Sequence, residues 1–215
     1  MRPVSRAIRV LLVDDHAVVR AGYRMLLHAA SAIEVVAEAD SGEAACQCYA
    51  SFAPDVVVMD VALPGIGGIG ATERIVARDP EARVLVFSMH DDALFVEKAL
   101  AAGARGYITK SSAPDVLVDA VRDVAAGRRR FDPALADKLA VHRARSDSEF
   151  SSLSTREFEI FCLLAEGVPA VDIGQRLSLS PKTVANYGSQ IKSKLHVGSA
   201  AELARLAIRH GIIPA

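Results

Sequence analysis

The first 127 residues alternate between two hydrophobic patterns, and this alternation limits the folds that the chain can adopt. Five short runs, rich in Val, Ile and aromatic residues, have the composition of buried strands: Ile8–Val13, Ile33–Glu38, Val56–Met59, Arg83–Phe87 and Gly106–Thr109. Amphipathic stretches follow them at about 17–29, 42–51, 69–78, 92–102 and 113–126. Strands that alternate with helices form a parallel sheet with helices on both faces. We therefore predict a doubly wound, five-stranded parallel α/β domain over residues 1–127.

Residues 151–215 lack strand signals and carry helix-start signals instead. Ser154 with Glu157, and Ser199 with Glu202, have the spacing of a capping box. Ser180–Pro181 places a cap before a first-turn proline. These signals predict an all-α unit of four helices, at about 155–166, 170–177, 181–195 and 200–210.

The near-zero net charge hides a difference between the two halves. The chain carries 25 Lys+Arg against 26 Asp+Glu. Residues 1–127 have 12 basic and 17 acidic side chains, whereas residues 151–215 have 7 and 5. An acidic N-terminal region and a mildly basic C-terminal region suggest that the two have separate functions. The basic charge of the C-terminal region alone does not establish nucleic-acid binding.

Residues 128–150 have the character of a linker between the two predicted domains. They begin with the cluster Arg128–Arg130 and continue with a predicted short helix at about 134–143. We expect the arginines to be solvated, and contact with DNA phosphates is the alternative.

Composition excludes several classes of protein. A hydrophobic content of 51% with 24% charged residues is typical of globular domains. Three cysteines cannot form a disulfide framework and match no zinc spacing, which favours a reducing compartment. The first apolar run ends at Asp14, and no run approaches the ~20 residues of a membrane span. We expect a cytoplasmic protein that does not contact a membrane.

Reactive side chains follow the predicted strands at the points where those strands end. Asp14 and Asp15 follow the first strand, Asp60 the third, Ser88 the fourth and Lys110 the fifth. The carboxyl ends of parallel strands meet at one edge of the sheet. Clustered carboxylates repel one another unless a cation lies among them, and oxygen ligands favour Mg²⁺. Each residue alone could be a solvated loop residue, but the full set indicates a site that transfers phosphate to a carboxylate.

These positions carry motifs that resemble the receiver domain of two-component response regulators, which has a flavodoxin-like fold. The matching segments lie within residues 8 to about 127: Val10–His16, Val57–Gly65, Phe87–Ser88 and Gly103–Lys110. The resemblance implies that Asp60 accepts a phosphoryl group from a phosphohistidine of a sensor histidine kinase. It also implies that Mg²⁺ is held by Asp14, Asp15, Asp60 and the backbone carbonyl of Ala62.

The resemblance further implies a conformational switch. Lys110 would pair with the phosphoryl oxygens, Ser88 would move to bond the phosphoryl group, and Tyr107 would rotate inward behind it. Simple packing is the alternative role for Tyr107. Because the acceptor is the protein's own Asp60, we expect no enzymatic turnover beyond autodephosphorylation. The segment Gly65–Gly70 departs from the family pattern, and its four glycines predict a flexible loop.

Two other phosphate-handling folds fit the sequence less well. A haloacid-dehalogenase-like phosphatase needs a second Asp two residues after its nucleophile, and residue 62 is Ala. A flavodoxin-like nucleotide binder needs a phosphate loop rich in Gly, Ser or Thr after the first strand. The two carboxylates at Asp14 and Asp15 would repel phosphate there.

The helix predicted at 181–195 has one apolar and one polar face. At about 100° per residue, Val184 and Ile191 lie on the apolar face, opposite short polar and amide side chains. Such side chains let a helix enter the major groove, and the preceding helix and turn fit a helix-turn-helix. An ordinary solvent-exposed face is an equally good explanation of this helix alone. The candidate DNA-binding residues are Lys182, Thr183, Asn186, Tyr187, Ser189, Gln190 and Lys194.

The second unit also resembles a LuxR-type DNA-binding domain, through the segments Leu153–Glu157, Leu163–Gly167, Ile173–Leu177, Ser180–Val184 and Lys194–Leu195. Together the two halves resemble response regulators of the NarL/FixJ type over almost the whole chain. The resemblance implies a transcriptional regulator in which phosphorylation of Asp60 favours a homodimer on promoter double-stranded DNA. The alternatives are a protein-binding or RNA-binding output, and constitutive DNA binding with a static Asp60.

Overall fold

The computed structural model describes residues 6–132, 135, 149–210 and 212–213. The chain divides into two compact units, Met1–His142 and Arg143–Ala215. Apart from Leu135, the predicted linker helix at about 134–143 lies outside the described residues. Within the described ranges, no helix is both long enough and apolar enough to cross a membrane.

The first unit is a parallel sheet whose six strands lie in the order β2-β1-β3-β4-β5-β6. The strands are β1 (Ile8–Val13), β2 (Ile33–Ala39), β3 (Val56–Met59), β4 (Val84–Ser88), β5 (Gly106–Thr109) and β6 (Arg130–Phe131). The helices are α1 (Ala17–Ala29), α2 (Gly42–Phe52), α3 (Gly67–Arg78), α4 (Ala93–Ala101) and α5 (Pro114–Ala125). The predicted parallel α/β fold is therefore confirmed, with six strands rather than five.

Both faces of the sheet are buried because successive strand side chains point to opposite sides. On one face, Leu12 and Phe87 belong to the same apolar cluster as Leu117 of α5. On the other face, Leu11 packs in a cluster with Ile75 of α3. This double burial explains why the strands are almost continuously apolar in sequence.

The sixth strand was not predicted because two residues carry no periodic signal. β6 pairs in parallel with β5, placing Arg130 opposite Gly106. A Cβ on Gly106 would lie 2.5 Å from the Arg130 carbonyl oxygen, so a residue without a side chain permits this approach. Arg128 and Arg130 also pair with Asp123 of α5, at 2.7 and 3.2 Å. This part of the predicted linker therefore belongs to the sheet.

The prediction of a flexible glycine loop is wrong for Gly67–Gly70, which form the first turn of α3. A Cβ on Gly68 would lie 1.7 Å from the carbonyl oxygen of Asp60. The Gly68 amide donates a hydrogen bond to the Val61 carbonyl at 3.0 Å. Glycine is needed here because the start of the helix packs directly against the strand end that carries Asp60.

The second unit contains a short 3-10 helix, Glu149–Ser152, and four α-helices that match the prediction. The α-helices are α6 (Thr155–Ala165), α7 (Ala170–Leu177), α8 (Pro181–Lys194) and α9 (Ala200–Arg209). Its core holds three aromatic rings, with Phe150 contacting Phe158 and Phe161 at centroid distances of 5.8 and 5.0 Å. These rings are almost fully buried.

The predicted capping boxes are confirmed at one helix start and only half formed at the other. Ser154 and Glu157 make both reciprocal hydrogen bonds at the start of α6. At α9, the Ser199 side chain accepts from the Glu202 amide. The Glu202 carboxylate instead accepts from the amide of Gly198 at 2.8 Å, one residue before the cap.

Candidate functional site

The ends of β1, β3 and β5 bring three charged side chains into direct contact. The ammonium nitrogen of Lys110 lies 2.7 Å from Asp14 Oδ2 and 2.5 Å from Asp60 Oδ2. All three side chains are at most 7% exposed. These residues are separated by up to 96 positions in sequence, and the parallel sheet places their strand ends side by side.

The backbone around Asp60 holds its carboxylate in one orientation. Asp60 Oδ1 accepts hydrogen bonds from the amides of Val61, at 2.7 Å, and Ala62, at 3.4 Å. The Asp60 amide itself donates to the carbonyl of Val13 in β1, at 3.0 Å. The amide contacts occupy Oδ1, so Oδ2 is the oxygen that faces Lys110.

Burial and charge act in opposite directions on this cluster. Burial raises the pKa of Asp60 above its usual value, and the Lys110 ammonium only partly offsets that effect. For Lys110, burial lowers the pKa, but the carboxylates of Asp60 and Asp14 outweigh it, so the net pKa is raised. Lys110 is therefore a permanent cation at neutral pH, placed beside the candidate acceptor oxygen.

The acidic pair at the end of β1 provides donor atoms suited to a hard divalent cation. Asp14 Oδ1 accepts from the His16 amide at 2.8 Å. Asp15 Oδ1 is buried and has no hydrogen-bond partner among the described residues, although His16 Nδ1 lies 2.7 Å away. Two adjacent carboxylates with buried oxygen atoms fit a site for Mg²⁺, which prefers oxygen ligands.

Two further predicted residues lie behind this cluster and contact the β4–α4 loop. Ser88 is fully buried, and its Oγ accepts from the His90 amide at 3.2 Å. The Tyr107 side chain is also fully buried, and its hydroxyl donates to the His90 carbonyl at 2.8 Å. Burial raises the pKa of Tyr107, so the hydroxyl remains protonated and able to donate. The Tyr107 ring therefore lies in the interior of the first unit.

Arg20 also touches the site, although the sequence patterns did not single it out. Its guanidinium Nη1 donates to the Asp14 carbonyl at 2.6 Å, and its Nε donates to Glu38 at 2.9 Å. In sequence, Arg20 is one polar residue in an amphipathic helix. No spacing rule distinguishes it from the exposed Arg24 one turn later.

In the second unit, the predicted polar strip of α8 is exposed and its apolar strip is buried. Val184 and Ile191 are fully buried. Exposed polar side chains on the opposite surface are those of Lys182, Asn186, Ser189 and Gln190, whereas Thr183 and Tyr187 are partly buried. The amphipathic prediction for this helix is therefore confirmed.

Lys194 stands apart from the other candidate DNA-binding residues. Its ammonium nitrogen lies 2.6 Å from Glu157 Oε2, at the first turn of α6. Glu157 is nearly fully buried and completes the capping box with Ser154. This contact ties the end of α8 to the start of α6 and gives Lys194 a role within the domain.

A close approach in the α7–α8 turn sets the position of α8. Ser178 ends α7 in the left-handed conformation, with φ of 54°. The Leu179 amide then donates to the carbonyl of Gly174 at 2.8 Å. A Cβ on Gly174 would lie 2.6 Å from the Leu179 carbonyl oxygen. The tight turn predicted between these helices therefore depends on a glycine within α7.

Comparison with known protein families assigns both units. Residues 10–122 match the model of the response regulator receiver domain. Residues 151–207 match the model of bacterial regulatory proteins of the luxR family.

Full-length relatives extend this similarity along the chain. Response regulator UvrY of Escherichia coli K12 is 40% identical over 208 residues, covering 95% of each chain. Response regulator GacA of Pseudomonas aeruginosa is 40% identical over 211 residues, covering 97% of this chain and 99% of that protein. A crystal structure of a LuxR-family two-component response regulator from Aurantimonas sp. SI85-9A1 is 47% identical, with a TM-score of 0.62. It covers 65% of this chain and 99% of that one.

Proposed function

Because the chain belongs to the response regulators that join a receiver domain to a LuxR-family DNA-binding domain, we propose that Asp60 is its phosphoacceptor. Proteins of this family regulate transcription in two-component systems. The observation that carries the assignment to Asp60 is the double contact of Lys110 with Asp60 and Asp14 at the strand ends. We propose residues 1–127 as the receiver, 128–150 as the linker, with β6 extending the sheet, and 151–215 as the DNA-binding domain.

In the proposed reaction, a carboxylate oxygen of Asp60 attacks the phosphorus of a phosphohistidine on a sensor histidine kinase. The new O–P bond forms as the N–P bond breaks, and the imidazole leaves with the bonding electron pair. Lys110 balances charge on the phosphoryl oxygens, as an ammonium 2.5 Å from Asp60 Oδ2 can do. The amides of Val61 and Ala62 hold the other carboxylate oxygen and orient the nucleophile.

Asp14, Asp15, Asp60 and the Ala62 carbonyl are the residues we propose to hold Mg²⁺. When bound, this ion would offset the negative charge of the transferred group. The buried oxygen atoms that Asp14 and Asp15 place at the end of β1 support this role. The acceptor is the protein's own side chain, so turnover is limited to loss of the phosphoryl group from Asp60.

We further propose that α8 recognises promoter DNA. The exposed residues Lys182, Asn186 and Gln190 have the chemistry to contact phosphates and base edges in a major groove. Thr183, Tyr187 and Ser189 flank them on the same helix, and Lys194 lies at its end. We propose that the phosphorylated cytoplasmic protein binds two half-sites as a homodimer, which multiplies a weak single-site affinity.

The phosphoacceptor assignment is tested by intact mass spectrometry after incubation with Mg²⁺ and a small acyl-phosphate donor. We expect the wild-type protein to gain one phosphoryl group that is lost at alkaline pH. The D60N variant keeps the size of the side chain and should gain none. A phosphoryl group on the D60N variant would assign the acceptor elsewhere.

DNA recognition is tested with duplexes selected from a random pool by the phosphorylated protein. Variant K182M should weaken binding to all duplexes and reduce the salt slope by about one, because one phosphate contact is lost. Variant N186A should instead reduce the preference for the selected sequence over random duplex. Equal binding by phosphorylated and unphosphorylated protein would favour constitutive DNA binding. Failure to select any duplex would favour a protein or RNA partner.

A further inference from the structure

Arg20 connects three elements beside the site through one guanidinium group. It belongs to α1, donates through Nη1 to the backbone carbonyl of Asp14, and donates through Nε to Glu38 at the end of β2. The side chain is 19% exposed. Arg24, one turn later, also pairs with Glu38, but more weakly at 3.4 Å and with half of its side chain exposed.

We propose that Arg20 is a positioning residue for the divalent-cation site. The carbonyl that it binds belongs to the peptide joining Asp14 to Asp15, the two residues proposed to hold the cation. Fixing this carbonyl fixes the plane of the peptide and, with it, the position of the Asp15 Cα atom from which the side chain extends. The inference rests on the proposed function, because it presumes a cation at these carboxylates.

The geometry explains why Asp15 in particular needs such support. Asp14 is held by Lys110 and by the His16 amide. Asp15 Oδ1, in contrast, makes no hydrogen bond among the described residues and has the largely exposed imidazole of His16 as its near neighbour, at 2.7 Å. Because fewer contacts hold the Asp15 side chain, its orientation depends more strongly on the backbone. Partners that hold metal ligands in this way usually change metal affinity by 10–100-fold when removed.

Glu38 explains how a cationic side chain can occupy this position. An unpaired guanidinium near the cation site would repel Mg²⁺, and the repulsion would be strongest at low ionic strength. The carboxylate of Glu38 balances that charge, and Arg20 keeps its hydrogen bond to the Asp14 carbonyl. The Arg20–Glu38 pair can therefore hold the Asp14 carbonyl in place while adding little net charge beside the cation site.

Titration calorimetry of the full-length protein with MgCl₂ alone tests this role without using phosphorylation as the readout. The R20M variant removes the guanidinium group and its hydrogen bonds but keeps an unbranched side chain. We expect its Mg²⁺ affinity to fall about tenfold. The R24M variant is the matched control, since it loses a contact with the same Glu38 but none with Asp14. We expect it to bind Mg²⁺ as the wild-type protein does. R20K, which keeps one cationic donor, should fall between R20M and the wild type.

A second variant separates charge from geometry. E38Q leaves Arg20 able to donate to Asp14 but removes the balancing charge. We expect E38Q to weaken Mg²⁺ binding at 20 mM salt and to approach the wild-type affinity at 300 mM. The loss in R20M should persist at both salt concentrations, because it comes from a lost contact. Urea unfolding in EDTA verifies that each variant is folded at the titration temperature.

The outcomes distinguish this inference from the proposed function. Equal Mg²⁺ affinity in wild type, R20M and R20K would overturn the positioning role and leave the phosphoacceptor assignment intact. A loss in R24M as large as that in R20M would also overturn it. If the wild-type protein binds no Mg²⁺, both the cation site and the role of Arg20 are rejected, and the mass experiment on Asp60 stands separately.

Discussion

The ammonium of Lys110, at the end of β5, lies 2.5 Å from the carboxylate of Asp60, at the end of β3. Both side chains are buried, and the same ammonium also binds Asp14. Three strand ends are thus joined by one cation. The same contact that neutralises the buried carboxylates also places a positive charge beside the proposed acceptor.

Removing the Lys110 ammonium should lower the free energy of unfolding of the first unit. K110M leaves two buried carboxylates without their shared partner, and breaking a buried ion pair costs about 3–5 kcal/mol. Urea unfolding in EDTA measures this cost. The D60N substitution in the K110M background should recover part of the stability, because it removes one of the uncompensated charges. A double variant no more stable than K110M would show that the ion pair does not determine stability here.

Two glycines of α3 give a matched test of the close approach to Asp60. G68A would place a Cβ 1.7 Å from the Asp60 carbonyl oxygen, and such backbone overlap should cost about 3 kcal/mol or more. G70A lies in the same helix, and its Cβ would have its nearest neighbour at 3.7 Å. Because alanine is the better helix former, G70A should be neutral or stabilise by up to about 1 kcal/mol. Equal melting temperatures for the two variants would contradict this account.

The hydroxyl of Tyr107 should matter both for stability and for the switch. Y107F removes its hydrogen bond to the His90 carbonyl, a loss of about 0.5–1.5 kcal/mol. We also expect a smaller difference in DNA affinity between phosphorylated and unphosphorylated protein. Y49F is the control, because Tyr49 donates to Asp79 at 2.6 Å between α2 and the end of α3. The Y49F variant should lose stability without changing the difference in DNA affinity between phosphorylated and unphosphorylated protein. An equal effect of Y107F and Y49F on this difference would refute the switch role.

The second unit should lose stability in acid through Glu157. Burial alone raises the pKa of Glu157, but hydrogen bonds from Lys194 and Ser154 outweigh it and lower the net pKa below its usual 4.5. Its stabilising contribution is therefore complete above about pH 4.5 and is lost as the pH falls through the folded pKa.

Native-state hydrogen exchange of α6 amides between pH 3 and 7 measures this loss. The E157Q variant should be less stable at pH 7 and should show a flatter pH dependence. K194M should have a similar but smaller effect, whereas K192M, in the same last turn of α8, is the control. If E157Q retains the wild-type pH dependence, another carboxylate is responsible.

Local sequence signals were sufficient for the regular elements and for part of the site. The hydrophobic pattern predicted β1 to β5 to within one residue at each end, because a sheet covered on both faces requires nearly continuous apolar runs. The Ser154–Glu157 spacing identified a cap whose hydrogen bonds are local to one helix turn. Asp14, Asp60 and Lys110 could be placed together because the ends of parallel strands share one edge.

Tertiary structure alone decided the features that depend on contact between distant segments. Strand β6 exists because Gly106 lets a two-residue segment approach β5. The glycines after Gly65 start a helix because Gly68 must fit against the Asp60 backbone. In sequence, Arg20 looked like an ordinary polar helix residue and Lys194 like a candidate DNA contact, yet Arg20 binds the Asp14 carbonyl and Lys194 binds Glu157. The periodicity of hydrophobic residues indicates which face of a helix or strand is buried. The roles of these residues depend instead on which atoms the fold places opposite one another.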